Sequence, residues 1–525
     1  MENKEVLKYF LQKGLLVDNE VLDLFSGVND VESVKLMIEK IKKHTQQKVI
    51  TKGILSNDKD QVNKLFLDFP QESQEKLENL KVKLGLSIEI SKEISTKTIK
   101  HENFENREGL SNVKYVFPAP EPNKKLEVKD FVTYFRNRFS DMRSILQDYS
   151  QLDSLVSINK ISGNRQGISL IGIVLDKKVT KNKNILFEIE DLTGKIKVLI
   201  NHDKKELYKK AEEITLDSVM GFKGSGSREI LFANDVIFPE PVLYERKKSP
   251  YDENVLFIGD LHYGSKRFLE EGFLRFIDYL NGKVPNTPEV DKIKYLFVVG
   301  DLITGVGNYP NQDRDLKIID IEEQFSKVAN LFGKIRRDIK IIISPGNHDG
   351  VRLMEPQPII DEKYAWPLYN LKNVILTTNP AQVNIGAKPD FSGFDVLTYH
   401  GFSYFHYAKT IPHLIKKKVA NNPELIMSYL LKNRHLAPTH ASTQYYPLEK
   451  DAHIIRDIPD IFVSAHTHKS SVSYYNNILM ISTSCWEGMT PYQEKFGNTP
   501  DHCKVPMFNL KTRSVKILDF EESED

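Results

Sequence analysis

The sequence predicts an α/β layered domain in the second half of the chain, preceded by a β-barrel and a small N-terminal helical domain. Three observations lead there. Residues 4–84 carry apolar side chains at one-face helical spacing. Residues 157–238 alternate short β-rich runs with turns, and beyond residue 250 fully apolar runs alternate with helical stretches, as stacked sheet and helix layers require.

A chain of 525 residues exceeds one core, and at roughly 150 residues per domain it divides into about three units. The expected divisions are 1–84 (helical), 85–130 (flexible linker), 131–245 (helix plus barrel) and 250–525 (α/β). A formal net charge of +1 gives no global field for attracting nucleic acid, so any contact with DNA must come from local patches. Cys485 and Cys503 are too few and too isolated for a disulfide framework or zinc finger, and are expected to be structural thiols in a reducing cytoplasm. The charged N-terminus has no signal-peptide core, and no apolar run reaches the ~18 residues of a membrane span.

In the first unit Val6, Leu7, Phe10 and Leu11 make one stripe, and Val31, Val34, Ile38 and Ile41 a second. No catalytic motif accompanies them, which favours a docking or protein-binding module. The segment 85–130 is rich in Lys, Glu, Asn, Ser and Thr and contains Pro118, Pro120 and Pro122, the composition of a solvated tether. Phe131, Phe135, Phe139, Met142 and Leu146 then form a helical stripe that would dock on the next domain.

Five β-rich runs follow: 168–174, 185–189, 196–200, 219–222 and 230–238. Their rhythm resembles an oligonucleotide-binding (OB-like) barrel. Lys177, Lys178, Lys181 and Lys183 between the first two runs read either as a phosphate-binding loop or as a solvated hairpin. Pro239, Pro241 and Pro250, around Arg246-Lys247-Lys248, mark the join to the α/β domain.

The chemistry lies at the ends of five apolar runs. The first, 255–262, closes in Asp260-Leu261-His262, so two potential ligands leave one strand tip at little ordering cost. The same grammar recurs at YLFVVGD ending in Asp301, IIISPGNHD with Asn347 and His348, VLTYHG with His400, and IFVSAHTH with His466 and His468. A lone His or Asp near a strand end is usually a hydrogen-bonded structural group; seven metal-type side chains besides His348, at five strand ends, point to one shared site. Two divalent ions roughly 3.5–4 Å apart can hold the attacking and leaving oxygens of a phosphodiester displacement. The mixed oxygen and imidazole donors fit manganese, iron or zinc better than an all-oxygen magnesium or calcium cage, and manganese is the ion expected first.

Asp-x-His, Gly-Asp, Gly-Asn-His-Asp, His-Gly and x-His-x-His in this order resemble the calcineurin-like metallophosphoesterase superfamily. The resemblance implies that Asp260, His262 and His468 hold one metal, that Asn347, His400 and His466 hold the other, and that Asp301 bridges them. It implies a metal-activated water as nucleophile, His348 as the catalytic group facing the scissile phosphate, and Asp349 behind His348 as its orienting partner. The chain departs from the family pattern at Ala465, where glycine usually stands, adding one methyl group where backbones approach closely.

Glu355-Pro356-Gln357-Pro358, Arg434-His435-Leu436-Ala437-Pro438 and Pro459-Asp460-Ile461-Phe462 narrow the resemblance to the small subunits of archaeal family-D DNA polymerases, over roughly Phe131 to the C-terminus. That family implies a 3′→5′ proofreading exonuclease, a large catalytic subunit as partner, and single-stranded or mismatched 3′ DNA ends as substrate. Two other functions compete: an idle architectural subunit, and a free-standing metallophosphatase. The loop holding Arg434 and His440 is expected to approach the site; Trp486 is expected to be packing.

Overall fold

The computed structural model describes residues 3–18, 125–417 and 419–521, with shorter pieces at 21–22, 25, 34–35, 37–39, 42, 49–50 and 113–115. The chain forms two compact units, Met1–Asn103 and Phe104–Asp525.

In the first unit, helix α1 (Asn3–Gln12) buries Val6 and Phe10, while Leu7 and Leu11 of the same expected stripe are exposed. Phe10 meets Phe25 edge-on, centroids 5.5 Å apart. Val34 and Ile38 of the second stripe are buried; Val31 and Ile41 lie outside the described residues. The purely helical expectation needs a correction, because Leu16–Val17 (β1) pairs in parallel with Val49–Ile50 (β2). Two-residue strands carry too little periodicity to be read from sequence.

Most of the expected linker, 85–112 and 116–124, lies outside the described residues. Within it Val113–Tyr115 is strand β3, paired antiparallel with Ala381–Ile385, which the tether reading did not anticipate. Helix α2 (Val128–Leu146) follows, its first turn closed by the Asp130 carboxylate accepting from the Glu127 backbone N–H at 2.9 Å.

Strands β4 (Gln166–Val179), β5 (Ile185–Asp191), β6 (Gly194–Ile200), β7 (Val219–Gly226) and β8 (Ile230–Ile237) close into a barrel in the order β4-β5-β6-β8-β7. Alternation places Ile185, Phe187 and Ile189 of β5 and Ile196, Val198 and Ile200 of β6 inside. A register shift between Val174 and Asp176 lets the long β4 bend to pair with both β5 and β7. Of the hairpin lysines, Lys177 is not available to a phosphate: its ammonium donates to the Glu212 and Ile214 carbonyls, both at 2.8 Å. Helix α2 lays Phe139, Met142 and Leu146 on the barrel's Ile171, Ile173, Val219 and Ile237, and turns Tyr134 and Arg138 toward Tyr445 and Asp451 of the α/β part.

The α/β part holds two six-stranded sheets. The first orders β12-β11-β10-β9-β18-β19 and the second β16-β17-β15-β14-β13-β3. The strands are β9 (Asn254–Ile258), β10 (Ile293–Val299), β11 (Lys340–Ser344), β12 (Val374–Leu376), β13 (Ala381–Ile385), β14 (Phe394–Tyr399), β15 (Ile461–Ser464), β16 (Ser471–Tyr475), β17 (Ile478–Ser482), β18 (Lys504–Asn509) and β19 (Val515–Asp519). Strands β9 to β12 run parallel, as do β14, β15 and β17, which is why their sequences are apolar on both faces.

The sheets pack face to face through Phe257, Phe297, Val299, Ile342, Val396, Val463 and Ile481. The outer face of the first is covered by helices α3 (Glu270–Leu280) and α4 (Ile321–Phe332), and that of the second by α5 (Tyr404–Thr410) and α6 (Pro423–Lys432). The result is a helix, sheet, sheet, helix sandwich in which β9, β10, β11, β14 and β15 deliver their carboxyl ends to one edge. Cys485 and Cys503 are free and buried. Among the described residues no helix is long and apolar enough to cross a membrane.

Candidate metal centre

All seven expected donors stand within a few residues of those strand ends, and the structure brings them together. Asp260, His262 and His468 form one cluster, and Asp301, His400 and His466 another, each with donor atoms within 4.8 Å of one another. His262 Nε2 is 3.1 Å from His468 Nε2 and 3.8 Å from Asp301 Oδ2. On the other side His400 Nε2 is 3.2 Å from Asp301 Oδ2, 3.1 Å from Asn347 Oδ1 and 3.2 Å from His466 Nδ1. The same Asp301 oxygen therefore borders both clusters.

The backbone is strained to achieve this. Asp260, His262, Asp301, His466 and His468 have φ of 50°, 49°, 49°, 68° and 57°, a left-handed conformation that costs a non-glycine residue about 1–3 kcal/mol. Hydrogen bonds over-determine it. Asp260 N–H donates to Gly300 O at 3.0 Å, its carbonyl accepts from Trp486 N–H at 2.9 Å, and its Oδ2 accepts from His466 N–H at 2.8 Å. Glycine is required where the loops cross: a Cβ on Gly300 (φ +80°) would stand 2.3 Å from His400 Nδ1, and one on Gly346 would stand 2.2 Å from Asp301 Oδ1. Ala465 is accommodated because Gly259 faces it; a Cβ there would lie 2.9 Å from the Ala465 methyl.

The donors suit divalent cations. Asp260 Oδ1 is buried with no hydrogen-bond partner, a state that a bound cation would relieve. Burial, helped by the neighbouring imidazoles, pushes His262 down to about 3 and His466 and His468 well below the usual histidine range, so their rings are neutral donors. Burial opposes charge on Asp301 too, but His400, His348 and His262 hold its carboxyl well below the ordinary value. Burial likewise disfavours an imidazolium at His400, but Asp301 outweighs it and pushes His400 up to about 10. Asp301 and His400 would hold a divalent cation in place of that shared proton. Val299 O lies 3.1 Å from His400 Nδ1, so a proton on Nδ1 leaves Nε2 free to ligate.

His348 borders the first cluster, its ring centroid 4.9 Å from that of His262, and its backbone N–H donates to Asp301 Oδ1 at 2.8 Å. Its orientation comes from the Thr304 carbonyl, which accepts from Nδ1–H at 2.8 Å and is itself held by Asn308 Nδ2 at 2.9 Å. The expected orienting role of Asp349 is therefore corrected. Its carboxylate accepts from Gly346 N–H at 2.8 Å and Ile303 N–H at 3.1 Å, and so braces the loop. Burial, with Asp301 nearby, raises Asp349 to about 7. Arg434 and His440 do not join the site. Arg434 donates to the Ile455 and Arg456 carbonyls, both at 2.8 Å, and His440 packs 4.8 Å from Tyr445. Trp486 packs against Phe273 and Phe276, as expected, but its backbone hold on Asp260 had no sequence signal.

A calcineurin-like phosphoesterase family model matches residues 253–470, the stretch that carries every one of these donors. Curated relatives extend the likeness beyond it. The DNA polymerase II small subunit of Pyrococcus furiosus is 36% identical over 403 residues, covering 75% of this chain and 64% of that protein. The protein of the same name from Methanothermobacter thermautotrophicus is 33% identical over 398 residues, covering 75% of this chain and 80% of its own length. That of Pyrococcus horikoshii is 33% identical over 470 residues, covering 87% and 73%. The chain thus spans just under two thirds of the first relative and more of the other two. Likeness on this scale takes in the barrel as well as the phosphoesterase sandwich, and the chain belongs to the small-subunit family of archaeal DNA polymerase II, the family-D polymerases.

Proposed function

We propose that this chain is the small subunit of a replicative family-D DNA polymerase and that it hydrolyses DNA from 3′ ends at a two-metal site. One observation carries the reading: Asp301 Oδ2 lies 3.2 Å from His400 Nε2 and 3.8 Å from His262 Nε2, where a bridging carboxylate belongs. Asp260, His262 and His468 would hold one ion and Asn347, His400 and His466 the other. The mixed oxygen and imidazole donors fit manganese, iron or zinc, with manganese the first choice to test. When bound, the pair of ions supplies Lewis-acid charge and lowers the pKa of an attacking water.

His348 supplies the protein's own chemistry. With Nδ1 fixed on Thr304 O, its Nε2 is left to stabilise charge on the phosphate and to carry a proton to the leaving oxygen. The closed five-stranded barrel supports an OB-like reading of residues 131–245, and the phosphoesterase match supports an enzymatic domain over 250–525. Residues 1–84 would be a separate helical module joined by a linker. A large polymerase subunit would be the partner, in keeping with the relatives' names, with DNA the substrate; two free, buried thiols fit a cytoplasmic location.

The test is incubation of the purified chain with manganese and 3′-labelled single-stranded or 3′-mismatched DNA. Release of mononucleotides from the 3′ end is the expected result. An inert protein that still captures a large polymerase subunit would indicate an architectural role. Cleavage of small phosphomonoesters without action on DNA would indicate a free-standing phosphatase.

A further inference from the structure

We infer that Gln357 and Asn379 are positioning residues, an amide clasp that fixes the separation of Asn347 from His400 and so governs occupancy of one of the two metal positions. This rests on the metal-site reading above. Neither residue carries chemistry in that reading, and Gln357 lies inside the Glu355-Pro356-Gln357-Pro358 motif, which is otherwise without a function.

The side chains are 2% and 0% exposed, so each amide must find its partners inside the protein. Asn379 Oδ1 accepts from the His400 backbone N–H at 2.8 Å, and Asn379 Nδ2 donates to Gln357 Oε1 at 2.7 Å. Gln357 Nε2 in turn donates to the carbonyls of Gly346 and Arg352, both at 3.3 Å. Two backbone bonds, Gln357 N–H to Asn379 O at 2.7 Å and Asn379 N–H to Gln357 O at 3.1 Å, hold the two residues side by side.

The chain of polarity permits one arrangement. Because His400 N–H and the Gly346 carbonyl cannot reverse roles, Asn379 must point its oxygen at His400, and Gln357 its nitrogen at Gly346. The clasp grips the residue before Asn347 and the backbone of His400. Both residues belong to the cluster on one side of Asp301, whereas Asp260 on the other side is held by Gly300, His466 and Trp486. Two neutral amides do this without adding charge beside a buried carboxylate cluster.

Gln357→Glu is the discriminating substitution. It retains an oxygen for Asn379 and nearly the same volume, but presents the Gly346 carbonyl with a carboxylate oxygen in place of a donor. Asn379→Asp breaks the same relay from its other end and serves if the first variant fails to fold.

The full-length chain, freed of metal, is titrated with manganese chloride and followed by calorimetry and electron paramagnetic resonance. Wild type should take up two equivalents and give an exchange-coupled spectrum. Either variant should keep one tight equivalent, lose affinity for the other by more than about tenfold, and show the six-line signal of an isolated ion. A purely structural role would lower the melting temperature and weaken both equivalents alike, which would overturn the inference. A variant that keeps two coupled ions would overturn the clasp alone. A wild type that never binds a coupled pair would overturn the metal-site reading beneath it.

Discussion

Arg138 and Asp451 are 313 residues apart in sequence and meet Nε to Oδ2 at 2.6 Å, with 1% and 0% of their side chains exposed. The pair ties α2 to the phosphoesterase sandwich. Tyr134 Oη accepts from Arg138 Nη2 at 3.0 Å and His435 Nε2 lies 3.0 Å from Asp451 Oδ2, so few donors or acceptors of the pair go unused. Removing one partner of such a pair strands a buried charge and typically costs about 3–5 kcal/mol, whereas replacing both with apolar residues often costs little. Arg138→Met should therefore lower the urea midpoint far more than Arg138→Met combined with Asp451→Asn, which leaves no stranded charge and keeps a side-chain oxygen for His435 and His453. Equal losses in the single and double variants would argue against a charge-stranding cost.

His453 gives a pH dependence with a definite sign. Its Nε2 is 3.1 Å from Glu355 Oε2 and its Nδ1 3.4 Å from Asp451 Oδ1. Burial disfavours the imidazolium, but these two carboxylates outweigh it and raise the pKa from 6.5 to about 8. A pKa raised on folding stabilises fully below the unfolded value, and the stabilisation is lost as pH rises through about 8. At ~1.4 kcal/mol per pKa unit this amounts to about 2 kcal/mol. Denaturant unfolding at pH 6 and pH 9 should show wild type losing about that much more than His453→Gln. Parallel losses would refute the assignment.

Gly300→Ala should disable the site without altering any donor. The new methyl would meet His400 Nδ1 at 2.3 Å in a backbone with φ +80°. Manganese content should drop and DNA hydrolysis should fall by up to about 100-fold, the upper range for disturbing a ligand's support. Gly488→Ala, whose nearest neighbour would be Arg267 O at 3.7 Å, is the matched control and should keep both.

His348→Ala and Asp301→Ala should separate chemistry from metal binding. Loss of the His348 imidazole should lower kcat by about 10²–10³-fold while metal stoichiometry stays at wild-type level. Loss of the Asp301 carboxylate, which borders both clusters, should abolish hydrolysis together with paired metal binding. Metal analysis beside single-turnover kinetics distinguishes them; a His348→Ala protein that loses its ions would place that residue in the metal shell instead.

The centre was legible because five apolar strands each end in a polar signature, and parallel strands deliver such ends to one edge. Asp260, Asp301, Asn347 and the histidines could be read one strand at a time. What sequence missed are partnerships with no periodicity. Arg138 sits on the apolar stripe of α2 and gives no sign that its counter-ion is Asp451. Gln357 and Asn379 have meaning only as a pair. Strand β3, Val113-Lys114-Tyr115, opens a short apolar run that the long polar stretch before it masks, and it adds to the edge of β13. Asp349 was misplaced because adjacency to His348 in sequence suggested contact, while the turn directs its carboxylate to the Gly346 and Ile303 amides.

The most direct test of the shared-carboxylate site is anomalous diffraction from crystals of the chain grown with manganese. Two peaks roughly 3.5–4 Å apart on either side of Asp301 are predicted, one against Asp260, His262 and His468 and the other against Asn347, His400 and His466. A single peak, or two peaks that do not share Asp301, would contradict it.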